Sequence, residues 1–323
     1  MDNVPVSILI TGKNGQDGRI IFDKYIAISK NVYGVGRDEV SYPAGKTPQS
    51  KRINICDPRS FKEFLDYVQP THIFHLAASH ANSVGMELHG ENAESEMFSL
   101  HVGATQTILD WQRKHYGMGT KLVVALSSQM FTANENPTWI DERTPLNPSS
   151  KYGETKAQAL KLVRNYREKY NVHASGAILF NHSSRFSKSD FVLIQIAKQI
   201  ARVLSGSADK IFLRNFDVEL DISNAEDMCN ALIGMVSLES PEDFVLASGQ
   251  PTNLKELTTE CLKHYKIPSE VELVSTNPTQ IPQKTLLGNS KKASVKLNWQ
   301  PNQNSLALLV SIVENIRESN IDD

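Results

Sequence analysis

Three features of the 323-residue chain predict an α/β fold built on a doubly wound parallel sheet. Short apolar runs alternate with stretches of helical spacing through the first half, the rhythm of strand–helix–strand units. The apolar runs are continuous rather than alternating, as strands covered on both faces require. A glycine-rich turn, Gly12, Gly15 and Gly18, follows the first run directly.

The elements follow in order. Val6–Thr11 (VSILIT) reads as a buried strand ending at Gly12. Asp17–Ser29 carries apolar residues at helical spacing, and Val32–Val35 (VYGV) is a second strand. Asp57–Val68 is helical, with Phe61, Phe64, Leu65 and Val68 on one face and Pro70 beyond its end. A third strand is expected at His72–Ala78, a long helix at Glu94–His115, a fourth strand at Leu122–Leu126 (LVVAL), a helix at Tyr152–Tyr170 and a fifth strand at Ala174–Phe180. After Asn181 the rhythm loosens. Helices are expected at Asp190–Leu204, Leu254–Tyr265 and Ser305–Glu318, with a further strand at Phe244–Ala247 and a frayed tail at Ser319–Asp323. No internal repeat or low-complexity tract interrupts the chain.

Composition narrows the function classes. Apolar residues make up 40% and charged residues 22%, values of a globular chain that buries a core. A net charge of -2 gives no basic footprint for nucleic acid. Cys56, Cys229 and Cys261 stand far apart, outside any C-x-x-C pair, so neither a metal site nor a disulfide framework is expected, only reduced thiols. No apolar run approaches the ~20 residues of a membrane span. The Met1–Gly12 stretch lacks the form of a signal peptide, so the expected location is cytoplasmic.

The turn Thr11-Gly12-Lys13-Asn14-Gly15-Gln16-Asp17-Gly18 has G-x-x-G-x-x-G spacing. The first glycine permits the tight turn, the second the approach of backbone to a pyrophosphate, the third close packing of helix on strand. The helix start then offers N–H groups to phosphate. This predicts dinucleotide binding by residues 1–180, with 181–323 mainly a smaller substrate-binding lobe that sends segments back to the sheet. After the second strand, an acidic residue would bond a ribose 2′-hydroxyl; Gly36-Arg37 stands there instead, and a cation suits a 2′-phosphate. NADP is the expected cofactor, with Asp38 leaving NAD possible.

Ser127 and Ser128 follow the fourth strand, and Tyr152 and Lys156 lie at i and i+4 on one helix face. An ammonium beside a phenol, together with a cationic nicotinamide, is expected to lower the phenol pKa from its ordinary value of about 10. The phenol can then exchange a proton with a sugar hydroxyl while hydride moves at the carbon, the serine hydroxyl holding the same oxygen.

These motifs resemble the extended short-chain dehydrogenase/reductase family, and within it the GDP-mannose 4,6-dehydratases. The resemblance covers nearly the whole chain. It rests on Thr11-Gly-Lys-Asn-Gly-Gln-Asp-Gly18, Asp57 after Asn-Ile-Cys, His75-Leu-Ala-Ala78, Leu126-Ser-Ser-Gln-Met-Phe131, Pro148-Ser-Ser-Lys-Tyr-Gly-Glu-Thr-Lys156, Leu179-Phe-Asn-His182, Leu287-Gly-Asn-Ser-Lys-Lys-Ala293 and Leu297-Asn-Trp-Gln-Pro301. It implies a Rossmann-type doubly wound parallel sheet with a smaller C-terminal substrate-binding lobe, and a nucleotide-diphosphate sugar as substrate. By resemblance Gly12, Gly15, Gln16, Asp17 and Gly18 hold the dinucleotide with Arg37, and Asp57 meets the adenine. Leu76, Ala77 and Ala78 line the pyrophosphate path, with His182 also at the cofactor. Ser127, Tyr152 and Lys156 form the catalytic trio, Tyr152 and Lys156 touching the cofactor too. Ser128 and Asn181 contact substrate, the latter at the diphosphate, and the stretch around Val192 meets the base. A homodimer or homotetramer is implied by the same resemblance.

The chain departs from that family at telling places. Those dehydratases carry a Glu two residues after the strand-end Ser/Thr, which removes the C5 proton; Gln129 stands there, and a neutral amide is no such base. The family's Asn-His-Glu-Ser-Pro-Arg-Arg is here Asn181-His-Ser-Ser-Arg-Phe-Ser187, its Arg-Asp-Trp is Leu220-Asp221-Ile222, and an Arg before a late Pro is Ile281-Pro282. Lost arginines are lost bidentate phosphate contacts; Arg185, Lys188, Arg214 and Lys284 are the candidates to replace them. His75, His101 and His182 read as structural histidines. The expected activity is an oxidoreductase acting at C4 of a GDP-sugar: a dehydrogenase, 4-ketoreductase or epimerase. A dehydratase is the alternative, and a non-catalytic dinucleotide-binding partner subunit the alternative of another class.

Overall fold

The structure, a computed structural model, describes residues 6–29, 31–46, 50–79, 93–116, 119–135, 137–267, 270–278, 284–301 and 304–319. It divides into two compact units. The first comprises 1–132, 142–179 and 229–245, the second 133–141, 180–228 and 246–323.

The first unit is built from β1 (Ile8–Thr11), α1 (Gln16–Ile26), β2 (Val32–Val35), β3 (Val40–Ser41), α2 (Pro58–Val68), β4 (His72–His75), α3 (Ala93–Phe98), α4 (Ala104–Lys114) and β5 (Lys121–Ser127). The chain then passes β6 (Thr138–Ile140), of the second unit, and continues as α5 (Lys151–Tyr170) and β7 (His173–Leu179). A late segment adds β11 (Phe244–Leu246). The sheet order is β11-β7-β5-β4-β1-β2-β3. β2, β1, β4, β5 and β7 pair in parallel, and β3 closes one edge antiparallel. Strand order reverses between β1 and β4, so the crevice beyond their carboxyl ends is the expected ligand position.

Local chemistry explains the ends of these elements. Asp57 caps α2, accepting N–H bonds from Arg59 and Ser60, with Pro58 in the first turn. Gln69 ends the helix in the left-handed region, φ 44°, just before Pro70. Ser150 caps α5 through the Gly153 N–H, and Asn171 closes it at φ 53°. The long helix expected over Glu94–His115 is interrupted: a π-turn, Ser99–Gly103, separates α3 from α4. There the Thr105 hydroxyl donates to the His101 carbonyl at 2.6 Å, and His101 is buried. In the core of this unit Asp243 joins α5 to β7. It accepts from Arg164 (2.7 Å), Arg167 (2.9 Å) and the Gly176 N–H (3.0 Å). Burial alone would raise this carboxyl; the two guanidinium groups overcome it and hold it below its usual range.

The second unit contains β6, β8 (Asn181–Ser183), α6 (Val192–Leu204), β9 (Lys210–Leu213) and β10 (Glu219–Asn224). The chain returns to the first unit along α7 (Ala225–Ser237). The remainder is β12 (Pro251–Asn253), α8 (Leu254–His264), β13 (Glu272–Ser275), β14 (Leu286–Gly288), α9 (Lys291–Leu297) and α10 (Ser305–Ser319). Its core packs α6, α8 and α10 with β10 through Ile196, Ile200, Leu257, Leu309 and Ile312. Ile222 is buried in that core and Leu220 packs against it. The positions where the resembled family carries Arg and Trp are therefore apolar packing here. Between them Asp221 accepts from Ser248 N and Oγ, Gly249 N and Gly288 N, clamping two turns. Ile281 and Pro282 lie outside the described residues.

Candidate active site

The glycine turn occupies the strand-order reversal. Gly12 adopts φ 75°, where its N–H and that of Lys13 donate to Val35 O, and the Gly15 N–H donates back to Gly12 O. A Cβ on Gly12 would lie 2.7 Å from Ala77 N, and one on Gly18 would overlap Gly12 O. Gly15 opens α1, with Gln16 and Asp17 in its first turn, whose N–H groups have no acceptor within the helix. Leu76, Ala77 and Ala78 continue from β4, the Leu76 N–H donating to Thr11 O. These side-chain-free approaches form a cradle that fits the pyrophosphate of a dinucleotide.

At the end of β2, Arg37 is exposed. Asp38 pairs with Arg52 at 2.9 Å, and Glu39 pairs with Lys13 at 3.0 Å. Lys13 is a residue that sequence reasoning passed over; its stem lies along Gly34, where a Cβ would meet Lys13 Cγ at 2.7 Å. Asp57 is engaged as the α2 cap, a local role that its place before Pro58 could have signalled.

The Ser127–Tyr152–Lys156 group is assembled within the first unit. β5 ends at Ser127 and runs into a 3-10 turn, Ser128–Met130. The start of α5 lies directly on this turn: a Cβ on Gly153 would overlap Gln129 O and sit 3.0 Å from Pro148 Cβ. Gly153 thus allows Tyr152 to reach the end of β5. Ser127 Oγ accepts from Gln129 N at 3.2 Å, and its hydroxyl bonds the Tyr152 phenol. Lys156 Nζ donates to Ala125 O at 2.9 Å and lies 5.8 Å from the Tyr152 ring centroid. Ser128 is buried beside them, and Gln129 Oε1 accepts a long 3.4 Å bond from Ser150 Oγ.

Burial governs the charge of the Tyr152–Lys156 pair. Tyr152 and Lys156 are each 4% exposed. Burial pushes the Tyr152 phenol well above its ordinary value, Ser127 pulls it down, and the Asp17 carboxylate raises it again. Burial lowers Lys156 to about 7. The protein by itself therefore disfavours the charged form of both groups; the lower phenol pKa was expected for a site that also holds a cationic nicotinamide. Next to them His75, in contact with Thr11 Oγ1 at 2.7 Å, is held neutral, its pKa near 3 through burial and then the Lys156 charge.

The remaining candidates belong to the second unit. Asn181 is exposed on β8, and His182 Nδ1 contacts Phe180 O at 2.7 Å. Val192 is the first residue of α6. Arg185 stacks on Phe186, 4.7 Å from its ring centroid, and lines with Lys198 and Asn315 a groove of about 390 Å³ beside α6 and α10. Lys188 is exposed before α6. Arg214 follows β9, which pairs with β13, whereas Asn181 and His182 pair with β10. Those cations therefore do not gather on one element. Among the described residues there is no cluster of potential metal ligands and no helix long and apolar enough to cross a membrane. Cys229 and Cys261 are buried free thiols; Cys56 is half-buried.

The profile of the family described as GDP-mannose 4,6 dehydratase matches residues 9–311. The GDP-mannose 4,6 dehydratase of Cricetulus griseus is 29% identical over 331 residues, covering 91% of this chain and 86% of that protein. The structure of RMD from Pseudomonas aeruginosa complexed with NADPH is similar at a TM-score of 0.78 and 18% identity, over 97% of this chain and 100% of that one. UDP-glucose 4-epimerase with UDP-glucose from Thermotoga maritima is similar at 0.76 and 21%, over 98% and 100%. The structural likenesses speak to the fold, a parallel-dominated α/β sheet with helices on its faces.

Proposed function

Because this chain belongs to the GDP-mannose 4,6 dehydratase family, we propose that it is an NAD(P)-dependent oxidoreductase acting at C4 of a nucleotide-diphosphate sugar, with a GDP-sugar as the first candidate. NADP is the preferred cofactor. Exposed Arg37 supports this, since the acidic residues beside it are already paired with Arg52 and Lys13. The bound dinucleotide would give or take hydride at the sugar carbon. Gly12, Gly15 and Gly18 would hold it with Gln16, Asp17, Leu76, Ala77 and Ala78. Asp57 at the adenine and His182 at the cofactor complete the proposed contacts. Ser128, Asn181, Val192, Arg185, Lys188 and Arg214 are proposed to meet the nucleotide sugar, and the assembly to be a dimer or tetramer.

The carrying observation is the buried Ser127–Tyr152–Lys156 group with an amide, Gln129, beside it. A phenol kept protonated by burial can deliver its proton to a C4 ketone oxygen as hydride reaches the carbon, leaving an alcohol. In the reverse direction it takes the hydroxyl proton. Ser127 donates to the same oxygen and orients it. Lys156, close to its own midpoint near neutral pH, can return the proton to the phenol. Gln129 cannot accept a proton from C5, so elimination of water lacks its base. Reductase, dehydrogenase or epimerase outcomes follow.

The family match over residues 9–311 favours a second reading, a 4,6-dehydratase in which another base serves. Product masses separate the two. The protein is incubated with GDP-sugars and 4-keto GDP-sugars, with NADPH or NADP. The first reading expects products changed by two hydrogens, or unchanged in mass but epimerised. Loss of one water without net cofactor change would replace it with the second. Gln129→Glu is expected to introduce water loss where the wild type shows none.

A further inference from the structure

We propose that His101 is a positioning residue for Tyr152: its imidazole ties the segment after β4 to the first turn of α5 through hydrogen bonds of fixed direction. This rests on the reading above, in which the Tyr152 phenol exchanges the proton.

His101 lies in the π-turn and is 2% exposed. The Ser79 backbone N–H donates to His101 Nε2 at 3.2 Å. A backbone N–H can only donate, so Nε2 carries a lone pair and the ring proton resides on Nδ1. Nδ1 is 2.8 Å from Thr155 Oγ1 and therefore donates to it. The Thr155 hydroxyl in turn gives its own hydrogen to Tyr152 O at 2.9 Å. The imidazole also stands edge-on to the Tyr152 ring, centroids 5.4 Å apart at 88°. Both the peptide and the ring of Tyr152 thus rest on one side chain.

Each end of this chain reaches something useful. Ser79 ends the Leu76–Ser79 segment whose Ala77 abuts Gly12, so the proposed pyrophosphate cradle and the phenol share a support. The π-turn supplies the inward placement, its widened backbone partly satisfied by the Thr105 hydroxyl on His101 O. The site asks for a donor, an acceptor and a flat ring at once, and neutral histidine has all three. Phenylalanine would keep the ring and leave the Ser79 N–H without an acceptor and the Thr155 oxygen without its donor.

The test uses the full chain and the variants His101→Phe, Thr155→Val, Thr155→Ser and the double His101→Phe/Thr155→Val. kcat and KM for the nucleotide-sugar reaction are measured, and ¹⁵N imidazole shifts are recorded on labelled wild type. His101→Phe is expected to lower kcat by about tenfold to a hundredfold while KM for the sugar moves far less. Thr155→Val should act in the same direction, and the double variant should be little worse than the worse single one, because both cut one connection. Thr155→Ser, which keeps the hydroxyl, should restore most of the rate. The ¹⁵N spectrum should show the neutral Nδ1–H tautomer at neutral pH. Additive losses, a Thr155→Ser variant as slow as Thr155→Val, a loss carried by KM alone, or an Nε2–H tautomer would overturn the inference. Should wild type turn over no nucleotide sugar, the functional reading fails by itself, and the tautomer still judges the hydrogen-bonded chain.

Discussion

At the scale of single residues, the site is governed by what burial does to charge. Lys156 donates to Ala125 O and is 4% exposed. Its folded pKa of about 7 lies below the ordinary lysine value of about 10.4. Between those values the unfolded chain holds a proton that the folded protein has shed, so wild-type stability rises with pH across that window. Below pH 7 both states carry the charge, and the folded one bears the full cost of burying it. Lys156→Met removes that cost. The melting-temperature advantage of the variant should be largest below pH 7 and shrink as pH climbs toward about 10, while turnover is lost throughout. Parallel melting curves for the two proteins would sink this account. The Tyr152–Lys156 spacing is visible in the chain as letters four apart. The direction of their pKa shifts is not, because it depends on how deeply α5 lies under neighbouring elements.

At the scale of elements, the position of α5 on the 3-10 turn after β5 matters most. Gly153 permits it, since any side chain there would strike Gln129 O. Gly153→Ala should push the helix start away from the turn, costing about 1–3 kcal/mol as overpacking does. Activity should fall much further than that loss of stability accounts for, because Ser127 and Tyr152 part company; thermal melts and kcat on the same preparation check both halves. Most elements of the first unit were legible. Continuous apolar runs marked β1, β2, β4, β5 and β7, and the one-sided apolar face ending before Pro70 marked α2. α7 was passed over in the loose stretch after Asn181, although its exposed Glu226 and Asn230 stand four residues apart on one face. Strands β8, β9, β12, β13 and β14, of three or four residues, are too short for alternation to register. The π-turn escaped notice, and His101 was read only as a structural histidine: its partners Ser79 and Thr155 lie 22 and 54 residues away in the chain. Nothing local announces a contact made by tertiary folding.

For the whole molecule, the first unit is discontinuous in sequence, and Asp243 is the residue that makes this consequential. Its carboxylate is the counter-ion of both Arg164 and Arg167, and the strand beginning one residue later borders β7 in the sheet. The sheet edge is thus supplied by chain made some 65 residues after β7. A fragment ending at residue 180 should not be an independent nucleotide-binding domain: β7 would become an open edge and two half-buried guanidinium groups would lose their anion. Such a fragment is expected to aggregate or remain partly unfolded by circular dichroism, whereas a soluble fragment with a cooperative melt would refute the idea. The same arrangement sets a timetable for biosynthesis. On the ribosome the cradle-forming strands emerge first yet wait, unfinished at one border, until translation has passed the middle of the message. During that interval the nascent polypeptide is a client for chaperones, and a pause codon placed between these two stretches should lower the yield of native protein more than one placed after them.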